Sequence, residues 1–277
     1  MPSCVLRLPS FKHRCLKCAA APACAQLVST GSFSKAFIVI DILIQNLANH
    51  DIVSEDERSL VRSLATRERS YEIDEDLVSE NSRPSYSTLL TAGFAARYKL
   101  TPDGTRQITA LHVPGDFVDL HAFLLKTMDH GIIALSPCRV MQIDHTELET
   151  VTRKAPHLTR LLWLKTIIDG AIHREWIVAM GRRSKRAHLA HLLCELHMRL
   201  QAMGLTQELS FHFPLSQGEM ADVLGLSLVH MNRTIQNLRK DGLISWVNHT
   251  VTILDWDELR DIADFDPTYL SLTVEPR

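Results

Sequence analysis

The stretch at residues 215–242, LSQGEMADVLGLSLVHMNRTIQNLRKDG, narrows the possible folds more than any other part of this 277-residue chain. Ser216 and Glu219 have the spacing of a capping box, so a short helix is predicted from Gln217, with Met220, Val223 and Leu224 as its apolar face. Ala221 is small enough for another helix to cross closely. Gly225, four residues on, sits where the turn between two helices needs a positive φ. Leu226 then plugs the core, and Ser227 caps a second helix whose inward positions are Met231, Ile235 and Leu238. The pattern is a helix-turn-helix.

Such a motif offers its second helix to a DNA major groove. Leu228, Val229, His230, Asn232, Arg233 and Gln236 fall on or near the outer face, where side chains close to the helix N-terminus meet base edges. Arg233 can bond guanine O6 and N7 together, Asn232 suits adenine or a phosphate, and Val229 suits a thymine methyl. Ser216, Gln217 and the basic run Arg182-Arg183-Ser184-Lys185-Arg186 are candidates for phosphate contacts, which hold register without reading sequence. Ser227, at the helix start, completes the candidate set. Double-stranded DNA is the implied partner. Thirty Lys and Arg against 32 Asp and Glu give a net charge of -2, so binding must come from a local patch, and a histone-like polycation is excluded.

Elements on either side extend the motif. Residues 243–246 and 250–254 read as a two-stranded wing around Asn248-His249, and Asp255 with Glu258 caps a last helix to about residue 263. Upstream, Pro156 can start a long helix to about Met180, on which Leu161, Leu164, Ile168, Ala171 and Val178 follow a 3,4 spacing interrupted by Glu175. A narrow seam predicts pairing with a second copy; packing on the preceding domain is the alternative. Ser54 and Glu57 form another capping box, opening a helix to about Thr66. Between residues 71 and 143 short apolar runs alternate with turn chemistry. Residues 94–100 and 105–111 flank Pro102-Asp103-Gly104 as a hairpin, and a small antiparallel barrel or roll is the natural closure. The fold class expected is α+β: an N-terminal β roll of double-stranded β-helix or jelly-roll type, a long dimerisation helix and a C-terminal winged helix-turn-helix.

In this order the parts resemble the CRP/FNR superfamily of bacterial transcription regulators over residues 47–264, about four fifths of the chain. The most specific stretches are LSLVHMNRTIQNLRKDGLI and the roll segment YKLTPDGTRQITALHVPGDF. The resemblance implies a cytoplasmic homodimer, a cyclic-nucleotide-binding-like sensor, a near-palindromic operator, contact with RNA polymerase and activation of transcription. It places a disordered extension at 1–46, the sensor roll at 47–150, the dimerisation helix at 151–180 and the DNA-binding domain at 181–270. Two departures matter. Where many relatives carry a Glu that reads cytosine, this chain has Val229, so a different operator is expected. Where cyclic-AMP binders carry an Arg-Ser pair, residues 121–133 have no arginine and the pair aligns with Met128-Asp129; a carboxylate there opposes a phosphate, so cyclic AMP is not expected.

Cysteines pose a second question, since four of six lie within the first 24 residues. Cys15, Cys18 and Cys24 have the C-x2-C-x5-C spacing that, by resemblance to the oxygen-sensing branch, would hold a [4Fe-4S] cluster. About 30 residues separate Cys24 from the first domain helix, Met141 stands where the fourth ligand is usual, Cys138 faces the other side of its strand, and Cys4 is remote. Residues 1–40 hold five basic residues and no acid, which also describes a transit peptide or a mis-assigned start, and these readings stay open. No metal site is expected elsewhere: steps of three drift around a helix, so His188, His191, Cys194 and His197, interleaved with leucines, are assigned to packing, and His112 and His121 likewise. No apolar run reaches the roughly 18 residues of a membrane span, and no constellation of an enzyme is found.

Overall fold

The computed structural model describes residues 32–277, and their side chains from Ile40. The chain starts with α1 (Ser32–Ala48) and α2 (Glu55–Ser63), the latter capped as expected by reciprocal Ser54 and Glu57 hydrogen bonds. The extension expected over 1–46 is therefore too long: Ile40, Leu43, Ile44 and Leu47 are buried against Val61, Leu89 and Leu158, so α1 belongs to the core of the roll. Its periodicity lay beside the basic leader, where composition masked it. Residues 1–31, with Cys4, Cys15, Cys18 and Cys24, lie outside the described residues.

Seven strands build the roll: β1 (Thr66–Tyr71), β2 (Asp76–Val78), β3 (Tyr86–Ala92), β4 (Ala95–Leu100), β5 (Arg106–His112), β6 (Gly131–Ala134) and β7 (Cys138–Asp144). They form two antiparallel sheets, ordered β1-β7-β3 and β2-β6-β4-β5. β1, with Arg67, Glu68 and Arg69 exposed, is a charged edge of the kind that resists pairing with other chains. The predicted hairpin is β4–β5, with Ala95 opposite His112 and Leu100 opposite Arg106. Its register shifts at Arg97 and Tyr98, leaving Thr109 as the extra residue of a bulge. Gly93, before β4, has φ +91, and a Cβ there would stand 2.4 Å from the Pro137 carbonyl oxygen, so glycine is required.

A short α3 (Ala122–Leu125) packs on β3 with Ala122 in the roll interior, and α4 (His145–Lys154) leads into α5 (Pro156–Arg182) with proline in its first turn. Beyond it lie α6 (Lys185–Ala202), β8 (Thr206–Gln207), β9 (Ser210–His212), α7 (Gln217–Leu224), α8 (Leu228–Lys240), β10 (Ile244–Val247), β11 (Thr250–Ile253) and α9 (Trp256–Ala263). The wing is larger than expected, a sheet ordered β10-β11-β9-β8, because the two short strands were too brief to show a period. After α9 the chain folds back through a 3₁₀ turn, Pro267–Leu270, that buries Leu270, and the Arg277 amide reaches Asp51 Oδ2 at 2.6 Å. Glu195, fully buried on α6, accepts from Trp176 Nε1, Tyr269 Oη and Arg199 Nη1.

Candidate functional site

The helix-turn-helix is formed by α7 and α8. Ser216 Oγ accepts from the Glu219 amide while Glu219 Oε2 accepts from the Ser216 amide at 2.6 Å, so both capping bonds exist. Gly225 ends α7 with φ +62, and the Leu226 amide closes the turn on the Ala221 carbonyl at 2.9 Å. Ser227 caps α8. Met231, Ile235 and Leu238 are buried, joined by Thr234, which donates to the His230 carbonyl. Leu228, Val229, His230, Asn232, Arg233 and Gln236 are all exposed, Val229 at 78%. The 100° step between helical residues makes this division: inward and outward sets at the same spacing lie on opposite faces.

Arg233 enters no salt bridge among the described residues, so its guanidinium is available to an incoming partner. Asn232 Nδ2 donates to Gln217 Oε1 at 3.0 Å, tying the two helices across their outer surface. Ser227 Oγ lies 3.0 Å from His230 Nδ1. Of the basic run, Arg183 is committed to Glu175 at 3.0 Å and Arg186 to Asp241, while Arg182 and Lys185 are exposed. Asn237, Arg239 and Lys240 are further exposed side chains on α8; their polar and charged character late in the helix was the available signal.

The seam on α5 needs correction. Leu161 and Ile168 are buried in the chain's own cores, Leu164 and Ala171 are half-buried, and of the expected residues only Val178 is exposed. The exposed apolar residues include Trp163 at 66%, Ile167 and Ile177, which with Gly170 and Arg174 repeat at steps of 4, 3, 4 and 3. α5 is apolar on two faces, and the residues chosen from spacing lie largely on the one that covers the roll.

That inner face closes a cavity of about 590 Å³ between α5 and the β4–β5 hairpin. Met128 is buried in the roll interior and Asp129 stands at the rim, hydrogen-bonded to His130 Nδ1 at 2.8 Å. An arginine is nevertheless present: Arg97, from the bulge in β4, donates through Nη1 to Asp169 Oδ2 at 3.1 Å and to His173 Nε2 at 2.8 Å. His112, His121 and His130 line the same space, the last two rings 5.0 Å apart. Burial drives the His112 pKa well below its ordinary value and that of His121 down to about 4, with the Arg97 charge adding to both. His112 and His121, assigned to packing, are thus brought together at a cavity wall. A charged residue inside the otherwise apolar run at 94–98 was the available signal.

His188, His191, Cys194 and His197 are all buried, with His191 stacked on Tyr269 at 5.9 Å between ring centres. Among the described residues no group of three or more His, Cys, Asp or Glu is arranged to hold a metal ion, and no helix is long and apolar enough to cross a membrane. Cys138 and Cys194 are both buried, which pushes their pKa values up to about 11 and about 12, and the Cys138 thiol donates to the Phe94 carbonyl. Cys138 packs in the interior of the roll and Cys194 in the core that α6 shares with the helix-turn-helix.

Comparison with known proteins agrees with both halves. A family model described as a cyclic nucleotide-binding domain matches residues 68–155, and one described as a Crp-like helix-turn-helix domain matches residues 187–262. The chain is 28% identical over 180 residues to the transcriptional activator protein FnrL of Cereibacter sphaeroides, covering 64% of this chain and 72% of that protein. It is 22% identical to the anaerobic regulatory protein of Haemophilus influenzae, covering 84% of this chain and 90% of that one. Among solved structures, FixK2 from Bradyrhizobium japonicum superposes with a TM-score of 0.66 at 24% identity, covering 72% of this chain and 98% of that chain, and shows the same α+β fold. With a sensor-type roll, a long helix and a helix-turn-helix in the order shared by these regulators, the chain belongs to the CRP/FNR superfamily of transcription regulators.

Proposed function

We propose that the chain is a cytoplasmic, sequence-specific DNA-binding regulator that works as a homodimer on a near-palindromic operator and contacts RNA polymerase. The observation that carries this reading is the division of α8, with Val229, His230, Asn232, Arg233 and Gln236 outward while Met231, Ile235 and Leu238 anchor the helix. Ser216, Gln217, Ser227 and Leu228 border the same surface and serve as flanking contacts. The stripe from Trp163 to Ile177 supplies the dimer seam, because the exposed apolar side chains of Trp163, Ile167 and Ile177 share one face of a long helix and gain most by packing on a second copy. The roll is its sensor unit, the helix over 151–180 its dimerisation unit and residues 181–270 its DNA-binding unit. Selection from randomised duplex DNA tests the reading: an inverted repeat whose half-site centres lie about 34 Å apart is expected, and no enriched repeat would overturn it.

A second reading, redox or oxygen sensing, is favoured by the Cys15, Cys18, Cys24 spacing and by relatives named as anaerobic regulators. A cluster held by Cys15, Cys18 and Cys24 would supply a centre whose integrity depends on oxygen. Protein purified without oxygen should then be brown and lose colour in air; a colourless, iron-free preparation rules it out.

A further inference from the structure

We infer that Gln217 is a positioning residue that makes Asn232 a reader of adenine, so that the two side chains together specify one A·T pair in each half-site. The inference rests on the reading of α8 as a DNA-binding helix and sets the chemistry of one contact within it. Gln217 is the first residue of α7, next to the Ser216 cap, and Asn232 stands on the second turn of α8. Both residues are exposed, yet Asn232 Nδ2 donates to Gln217 Oε1 at 3.0 Å across the outer surface. A bond of this kind competes with water and adds little to stability. Its consequence is orientation. The backbone is fixed at both ends already, by the Ser216–Glu219 capping box on α7 and by buried Met231 and Ile235 on α8, so the bond sets the plane of the Asn232 amide before any duplex arrives.

A side-chain amide has two N–H groups and one carbonyl oxygen. The N–H that points away from the oxygen is the one a lateral neighbour can take, which leaves the other N–H and the oxygen side by side on one edge. With Gln217 as that neighbour, Asn232 offers a partner one donor and one acceptor. In the major groove adenine presents N7 as acceptor and N6 as donor, the complement of this edge. Guanine presents two acceptors there, cytosine a lone donor, and thymine one acceptor beside a methyl group, so none of them satisfies both groups. A phosphate accepts only, and would leave the Asn232 oxygen unpaired. The reverse bond, with Gln217 donating to Asn232, would leave two N–H groups and favour guanine, so the identity of the base separates the two arrangements. Gln217 keeps both Nε2 hydrogens, which suit a phosphate oxygen of the strand that α7 crosses. The backbone contact and the base contact are thereby joined through one side chain.

The test selects randomised duplex DNA with the full-length protein, then titrates the selected site with the parent, Gln217→Ala, Gln217→Glu, Asn232→Ala and the double alanine variant, while thermal melts report folding. Asn232→Ala should relax preference at one A·T pair by about tenfold. Gln217→Ala should relax the same pair with an unchanged Tm, and the double variant should bind about as Gln217→Ala does, because both changes remove one shared contact. Gln217→Glu keeps an acceptor for Asn232 but loses the donor, so the A·T preference should survive while affinity falls on all sequences alike. Replacing that adenine by its 7-deaza analogue should weaken the parent about tenfold and leave Asn232→Ala unaffected. The proposal is overturned if Asn232→Ala relaxes a G·C pair or none, if Gln217→Ala leaves the A·T preference intact, or if the two single losses multiply in the double variant. No enriched repeat from the parent removes the DNA reading as a whole, whereas a repeat that Gln217→Ala leaves unchanged removes this assignment alone.

Discussion

Arg233 is the residue on which sequence reading would depend most. It is exposed, uncommitted among the described residues and placed on the second turn of α8, where a bidentate contact to guanine is within the reach of an arginine in the major groove. Arg233→Ala should cost about 1–3 kcal/mol on the selected site and relax preference at one base pair, with unchanged thermal stability; unchanged preference in a binding titration removes it from the interface. His157 bridges two carboxylates: its Nδ1 lies 2.7 Å from Glu57 Oε1 and its Nε2 3.0 Å from Asp51 Oδ2. Burial by itself would lower its pKa, but the hydrogen bonds and charges of the two carboxylates outweigh this and raise it above 6.5. Asp51 is held below its ordinary value first by the His157 hydrogen bond, and Glu57, despite burial, by Ser54 and His157. The imidazolium contribution is complete below the unfolded histidine value and is lost as pH rises through the folded one; the carboxylate contribution is lost as pH falls through the depressed folded values. The cluster should thus stabilise most at about pH 5–6. In thermal melts the Tm gap between the parent and His157→Gln should shrink above neutrality, and a gap that widens there contradicts the assignment.

At the scale of elements, α5 shows how one helix can serve two partners. Leu161, Ile168, Ile172 and Trp176 cover the chain's own cores, while Trp163, Ile167 and Ile177 are left on a second face. A charge on that second face would have to be desolvated in a dimer but stays solvated in a monomer. Ile167→Glu with Ile177→Glu should therefore convert a dimer to a folded monomer in light scattering and weaken operator binding. A dimer that persists would place the interface elsewhere. The helix-turn-helix is legible in sequence for the opposite reason: its caps, turn glycine and inward positions are specified within four residues of one another, so no distant partner is needed to recognise them.

Across the whole molecule, the DNA-binding part is tied to the roll by contacts of very different strength. Arg106 on β5 meets Asp222 on α7 at 2.9 Å with both side chains partly solvated, and Gln107 Nε2 donates to the Asp222 carbonyl at 2.8 Å. Arg199 on α6, 9% exposed, pairs with Asp116 of the roll at 2.6 Å and with fully buried Glu195 at 3.0 Å. Urea unfolding should show a loss under about 1 kcal/mol for Arg106→Ala but about 3–5 kcal/mol for Arg199→Ala, which strands two carboxylates. Comparable losses would mean that the contact with β5 carries more of the docking than its exposure allows. Local signals specify the two capping boxes, the β4–β5 hairpin, the wing, the helix-turn-helix and their order, and these are legible along the chain. Which face of α5 is free, how residues 264–277 return to the roll, and the convergence of Arg97, His112, His121 and His130 on one cavity come from packing between distant parts of the chain. Those outcomes depend on burial by partners distant along the chain, and a periodic pattern specifies a face without specifying what will cover it.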